Sequence, residues 1–261
     1  MNTSSHTLEQ FKKDLHVLGL HAGDIVMMHC SYKSLGGVEG GAEGIFAALE
    51  DLLGPEGTLI LPAFSYATVN YDQPIFDRKE TLSCIGYLPE YFRTKVPGVI
   101  RSMHATHSCS LKGKHAEELA AGHELDLTPV GPNSPMAKLP KIGGKILILG
   151  SHPDHNTALH GVEETAEPPY LFNRTKPIHY ILRDGEREIH QDAIHHGFHF
   201  TTHSYAQRYS RILNLLQESE YSVGKVLDAT CYLMDAKAVW ERGHAALLED
   251  PYYFVERIEL H

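Results

Sequence analysis

The sequence predicts an α/β fold, a single domain over residues 1–261 with a central mixed, largely parallel sheet flanked by helices. Three observations lead there. Apolar runs of strand length recur at Ile25-Val-Met-Met28, Thr58-Leu-Ile-Leu-Pro62 and Lys145-Ile-Leu-Ile-Leu-Gly150. Segments with helical apolar spacing alternate with them. The first two runs are joined by a glycine-rich loop and a helix, the pattern of a parallel crossover unit. A chain of 261 residues is long enough to bury such a core without covalent staples.

Taken in order, Leu8, Phe11, Leu15 and Leu18 are spaced along one face of a helix over Thr7 to Leu18, and His21-Ala-Gly-Asp24 turns the chain into the first strand. Gly40-Gly-Ala-Glu-Gly44 leads into a helix over Ile45 to Leu53, which Gly54-Pro55 closes before the second strand. From Ser65 to Thr81 the chain is aromatic and polar without a clean period, an excursion of the kind that lines a substrate mouth. Gly86 to Arg93 then has helical character, Ser110 to Lys112 that of a strand, and His115 to Ala121 that of a helix before the turn Gly131-Pro-Asn-Ser-Pro135. The second half offers the Lys145 strand and a hairpin around Arg183-Asp-Gly-Glu186. After these come a histidine-rich stretch from His195 to His203, an amphipathic helix over Tyr205 to Leu216, a strand and turn within Val223 to Met234, and a closing helix over Ala236 to Leu248. No internal repeat, low-complexity tract or linker divides the chain.

Composition narrows the function classes. A hydrophobic content of 42% with 21% charged residues is ordinary for a globular protein and favours neither disorder nor a fibrous architecture. A formal net charge of -10 argues against a nucleic-acid backbone as partner and mildly favours a cationic small molecule. Cys30, Cys84, Cys109 and Cys231 contain no C-x-x-C pair, which argues against a disulfide framework or a cysteine zinc site and fits a reducing cytoplasm. The N-terminus lacks a basic segment followed by an apolar core, and no apolar run is long enough to span a bilayer, so neither Sec-type export nor membrane embedding is expected.

The chemistry concentrates after the Lys145 strand, in Ser151-His-Pro-Asp-His-Asn-Thr-Ala-Leu-His160-Gly-Val-Glu163-Glu164. With 19 histidines in the chain, a lone one is more often a surface side chain than a functional group. His160 stands out because Glu163 follows three residues later: on a helix the two share a face, and a base paired with a carboxylate can act on one proton. Asn156-Thr157 offers a capping-type start for that helix. The strand end before it is where open sheets place their ligands. A second candidate is the loop after the first strand, His29 to Ala42. Its glycines allow close backbone approach to a ligand, Ser31 and Ser34 add donors, and Lys33 adds a point charge. It matches neither the nucleotide P-loop nor the dinucleotide fingerprint.

Several separated segments, in the same order, resemble the aminoglycoside 3-N-acetyltransferase (antibiotic N-acetyltransferase) family. They are His29-Cys-Ser-Tyr-Lys-Ser-Leu-Gly36, Gly40-Gly-Ala42, Leu53-Gly-Pro-Glu-Gly-Thr-Leu59, Pro62-Ala-Phe-Ser65, Phe76-Asp77, Arg101-Ser-Met-His-Ala-Thr-His-Ser108, Gly131-Pro-Asn-Ser-Pro135, and Asn156-Thr-Ala-Leu-His160 with Glu163. The resemblance implies transfer of an acetyl group from acetyl-coenzyme A, as co-substrate and without a metal, to an amine of an aminoglycoside or related amino sugar. His160 takes the position of the base, with a carboxylate orienting it from the loop after the second strand, for which Asp72 is the nearest candidate; Glu163, three residues beyond His160, is the other carboxylate that could orient it. Ser31, Lys33, Ser34, Leu35 and Gly36 match the segment that holds the coenzyme's phosphate and pantetheine arm, and Arg101, Ser102, His107 and Ser108 a patch near the pantetheine or thioester. A homodimer is compatible with the resemblance.

Two departures stand out. The family usually has Ser where Cys30 stands, and an acidic residue after the hairpin is replaced within Ile194-His195-His196. The histidines also support a rival, a metal-dependent hydrolase in which His152, His155 and His160 with Glu163, together with His195, His196, His199 and His203, supply zinc ligands. No H-E-x-x-H signature accompanies them. A third reading is a sensor that binds coenzyme or amino sugar without turnover.

Overall fold

The computed structural model describes residues 6–172, 174–200 and 202–260, so the ends of the expected domain, 1–5 and 261, lie outside the described residues. Its strands are β1 Ile25–Cys30, β2 Thr58–Pro62, β3 Ile75–Asp77, β4 Ile100–Arg101, β5 Cys109–Gly113, β6 Lys145–Leu149, β7 Ile178–Asp184, β8 Arg187–Ala193, β9 His203–Gln207, β10 Tyr221–Val226, β11 Ala229–Asp235 and β12 Val255–Glu259. The helices are α1 Leu8–Leu18, α2 Gly41–Leu53, α3 Tyr87–Lys95, α4 Ala116–Ala120, α5 Pro135–Lys138, α6 Leu159–Ala166 and α7 Ala236–Glu249.

A seven-stranded sheet in the order β10-β11-β6-β1-β2-β5-β4 organises the molecule. It is mixed, as expected, but parallel pairing is confined to its centre. Strand β1 runs parallel to β2 and β6, completing the expected crossover through α2. The pairs β10–β11, β11–β6, β2–β5 and β5–β4 are antiparallel. Apolar runs reveal that central strands are buried; they carry no sign of strand direction at the edges.

The central strands are covered on both faces, and their side chains alternate between two cores. Met27, Ile60, Ile146 and Ile148 point to one face, where α6 and α7 pack with Leu159, Val162, Val239 and Leu247. Val26, Met28, Leu59, Leu61, Leu147 and Leu149 point to the other, under Phe11 and Leu15 of α1 and Ile45, Phe46 and Leu49 of α2. The period-2 pleat thus sends successive residues of one apolar run into opposite cores. Local signals set the helix ends: Thr7 accepts from Gln10 N and Asp235 from Ala238 N as N-caps, and Gly19, at φ 110°, closes α1 in the left-handed region.

The excursion after β2 contains β3, which joins the β7–β8 hairpin as a small second sheet. The helix expected over Tyr205 to Leu216 does not form. Tyr205 belongs to β9, which pairs antiparallel with β12, and residues Tyr209–Asn214 make a 3₁₀ turn. Apolar spacing there satisfies a helix and a buried turn alike, and the competing strand partner lies far away in sequence.

Candidate active site

Because β1, β2 and β6 run in parallel, their C-terminal ends open on one edge of the sheet. The loops that follow them wall a cleft of about 1400 Å³. Strand β6 ends at Gly150, whose φ of 69° and tight approach to Ala229 and Ser34 leave no room for a side chain. From there the chain turns through a 3₁₀ segment, Pro153–His155, into α6. Asn156 and Thr157 do not cap that helix. Their side-chain polar atoms have no partner among the described residues, and α6 opens instead through backbone bonds from Leu159 N to Asn156 O and from His160 N to Thr157 O.

Helix α6 presents His160 and Glu163 on its buried face, the expected arrangement. His160 Nδ1 lies 3.1 Å from Glu163 Oε2 and 2.9 Å from the hydroxyl of Tyr209, which donates to the same Glu163 oxygen at 2.7 Å. Tyr170 donates to Oε1 at 2.7 Å, so both carboxylate oxygens are satisfied although Glu163 is fully buried. Burial, with Glu163 adding to it, holds the Tyr209 phenol well above its usual range, which keeps it a proton donor. Tyr209 donates and Glu163 only accepts, so the proton of the imidazole belongs on Nδ1. Nε2 is thereby left as the basic nitrogen.

Two further histidines meet this ring. His196 stands with its ring centroid 4.6 Å from that of His160, and His107 at 5.9 Å. His196 Nε2 bonds Glu164 Oε1 at 2.8 Å, an oxygen that also accepts from Val130 N; His107 Nδ1 bonds Thr106 Oγ1 at 2.8 Å. Burial holds both rings well below the usual histidine range, with His160's positive charge acting the same way on both and His196's on His107, and it pushes Glu164 up to about 7. His29, at the end of β1, lines the same cleft and is pushed down to about 3 by burial.

A model of the aminoglycoside 3-N-acetyltransferase family matches residues 27–247. The chain belongs to that family, and the resemblance of its motifs is borne out. Among curated relatives, aminoglycoside N(3)-acetyltransferase VII of Streptomyces paromomycinus is 35% identical over 200 residues, covering 69% of this chain and 68% of the relative. Aminoglycoside N(3)-acetyltransferase III of a Salmonella species is also 35% identical, over 197 residues, with the same two coverages. Among solved structures, aminoglycoside acetyltransferase AAC(3)-Xa superposes with a TM-score of 0.82 at 28% identity, covering 94% of this chain and 93% of that one. AAC-IIIb, solved as a binary complex with CoASH, gives 0.79 at 29% identity, covering 94% and 97%.

Within this 3-N-acetyltransferase fold the residues singled out from sequence divide. His160, Glu163, His107, Ser31 and Lys33 meet at the cleft or directly behind it. Asp72 does not reach His160. It sits in an exposed turn, its N–H donating to Asn70 Oδ1, and the carboxylate on the imidazole is Glu163. Arg101 turns inward: its guanidinium donates to Ser108 Oγ and to the carbonyls of Ala63 and Thr81, and lies over the Phe76 ring. Ser102 accepts from Cys109 N and bonds His123, and Ser108 donates to Ala63 O, so this patch braces the strands behind the cleft. Ser34 donates to Ser31, Leu35 is in the core, and Gly36 lies against Asp228. Of the rival zinc set, His152 is exposed beside Asp154 and His203 stacks on Phe200; His160 and His196 come together, joined by His107 instead. No local signal marks Tyr209, because its role is set by a carboxylate on another element; Pro168-Pro169-Tyr170, expected from sequence to shape the acceptor pocket, instead sends the Tyr170 hydroxyl to that carboxylate.

No helix of the described residues is long and apolar enough to cross a membrane.

Proposed function

We propose that the protein transfers the acetyl group of acetyl-coenzyme A directly to an amine of an aminoglycoside or related amino sugar, with His160 Nε2 as general base. The observation that carries this reading is the pair of contacts that occupy His160 Nδ1, from Glu163 and Tyr209, at the wall of a cleft large enough for two substrates. Single small-molecule pockets usually measure about 300–1000 Å³, so the extra volume suits a pantetheine arm and an acceptor together. The relative AAC-IIIb is a CoASH complex and AAC-VIa, at 25% identity and a TM-score of 0.78, is bound to sisomicin.

The chemistry follows from the groups present. A protonated amine cannot attack a thioester. His160 Nε2 takes the proton released as the amine nitrogen bonds to the carbonyl carbon, Glu163 supports the imidazolium, and the C–S bond breaks as the thiolate leaves and regains a proton. When the Thr106 hydroxyl donates to His107 Nδ1, His107 Nε2–H faces the same space as a donor to the developing oxyanion. Lys33, exposed on the lining of the cleft, supplies the positive charge for a coenzyme phosphate.

The test is release of free thiol from acetyl-coenzyme A in the presence of a panel of amines, repeated with His160→Ala. Turnover falls by roughly 10²–10⁴-fold while coenzyme affinity is retained. Unchanged turnover in the variant removes His160 from the reaction, and no thiol release with any amine removes the transfer itself.

A further inference from the structure

His107, His160 and His196 come from three separate segments: the loop before β5, helix α6, and the stretch after the β7–β8 hairpin. One ring nitrogen of each lies within 4.8 Å of one on each of the others. The hydrogen bonds already described engage Nδ1 of His107, Nδ1 of His160 and Nε2 of His196. Each ring therefore has one nitrogen over: Nε2, Nε2 and Nδ1 respectively.

We propose that these three histidines form a binding site for a zinc-class divalent transition-metal ion, open to the cleft at its fourth position, and that an ion bound there withdraws His160 Nε2 from acetyl transfer. The second half rests on the function proposed above; the binding itself does not.

The donor set selects the ion. Three neutral imidazole nitrogens suit zinc, cobalt, nickel or copper, whereas magnesium and calcium require oxygen ligands. Nitrogens around a tetrahedral zinc stand about 3.3 Å apart, against separations of up to 4.8 Å among the three rings, so closing on an ion draws them together by about 1.5 Å at most. Behind each ring is the partner that zinc-binding histidines ordinarily have: Thr106 Oγ1 for His107, Glu163 for His160 and Glu164 for His196. These partners fix ring orientation and make the free nitrogen a better donor. The charge balance points the same way. Glu163 is buried and the Glu164 side chain is 6% exposed, and among the described residues none of their hydrogen bonds comes from a lysine or arginine. A divalent ion held by the rings in front of them offsets two carboxylates that otherwise lean on hydroxyls, a peptide N–H and neutral imidazoles.

Chelator-treated protein titrated with cobalt(II) and followed by visible absorption decides the matter. The expected result is saturation at one equivalent with the intense bands of tetrahedral cobalt, and displacement by zinc. His196→Gln and, separately, His107→Gln should each weaken cobalt binding by roughly 100-fold or more, and Glu164→Gln by about 10–100-fold, with circular dichroism confirming the fold of each variant. Absence of the bands in the unmodified protein, or bands retained in both histidine variants, overturns the site. A parallel assay adds one equivalent of zinc to the transfer reaction. Loss of turnover that a chelator restores supports the proposal, whereas cobalt binding at the three histidines with undiminished transfer overturns the inhibitory half and with it the role of His160 as base.

Discussion

Tyr209 donates a 2.7 Å hydrogen bond to Glu163 across 46 residues of chain, and through it the 3₁₀ turn after β9 fixes the helix that carries His160. The same hydroxyl lies 2.9 Å from His160 Nδ1, so it faces the imidazole and its carboxylate together. Removing it should cost activity rather than affinity. Tyr209→Phe deletes one bond to a charged group, worth roughly 1.5–3 kcal/mol, and a 10- to 100-fold fall in kcat with KM for both substrates little changed is expected from steady-state kinetics. A kcat equal to that of the unmodified protein shows that Glu163 alone positions the ring.

Arg101 distinguishes a coenzyme contact from a brace. Its guanidinium is buried, donates to Ser108 and to the carbonyls of Ala63 and Thr81, and covers the Phe76 ring at 4.7 Å. Lysine cannot reproduce that planar fork. Arg101→Lys should lower stability by about 2–4 kcal/mol, seen as a drop in Tm of roughly 5–10 °C, with KM for acetyl-coenzyme A changed by less than about 2-fold. A large rise in that KM with unchanged Tm returns Arg101 to the coenzyme.

These two residues also show where sequence carries the site and where it does not. His160 and Glu163 are legible because helix periodicity places residues three apart on one face, and the apolar run before them marks a buried strand whose end opens the cleft. Met27, Ile146 and Leu147 are legible as core for the same reason: alternation inside a short apolar run has few outlets other than two buried faces. Tyr209 is not legible, and His107 and His196 enter only through the family resemblance and the rival zinc set rather than through any spacing. Each reaches the site through a non-local contact, and the pairing of β9 with β12 that holds Tyr209 leaves no trace in the spacing of Tyr205, Tyr209 and Ile212, which suits a helix equally well. Asp72 illustrates the converse: proximity in sequence to a matching loop does not bring a carboxylate to His160 when the turn that holds it faces solvent.

Acid should destabilise the protein well above the carboxylate range. Burial holds His29 down to about 3 and His104 down to about 4, and puts His123 well below the usual value. An unfolded chain binds protons on these rings as pH drops below 6.5, and the folded chain does not until much lower. Their contribution is therefore present above 6.5 and lost as pH falls from there towards 4, at about 2 kcal/mol each for His29 and His104 by about pH 5. Glu164 acts in the opposite sense. Its folded value near 7 exceeds the ordinary 4.5, so its contribution is greatest below 4.5 and declines as pH rises through 7. Several histidines outweigh one carboxyl, and Tm should fall between about pH 7 and about pH 5. A Tm that is flat or rising over that interval contradicts this balance.

Gly161 follows His160 directly in α6, and its helical backbone alone favours alanine there by about 1 kcal/mol. Packing opposes the change. A Cβ at Gly161 would meet Trp240 Cζ2 at 2.6 Å and Val130 Cγ1 at 3.0 Å, because α6 lies against α7 with almost no gap at this point. Overpacking of this kind costs roughly 1–3 kcal/mol and is relieved by moving one helix from the other. Moving α6 displaces His160 from Tyr209, whereas moving only the Trp240 ring leaves His160 in place. Gly161→Ala should therefore lower both Tm and kcat, and adding Trp240→Leu, which removes the clashing ring, should recover kcat in the double variant beyond what either single change predicts. Additive effects across that cycle place the loss of activity somewhere other than the α6–α7 contact.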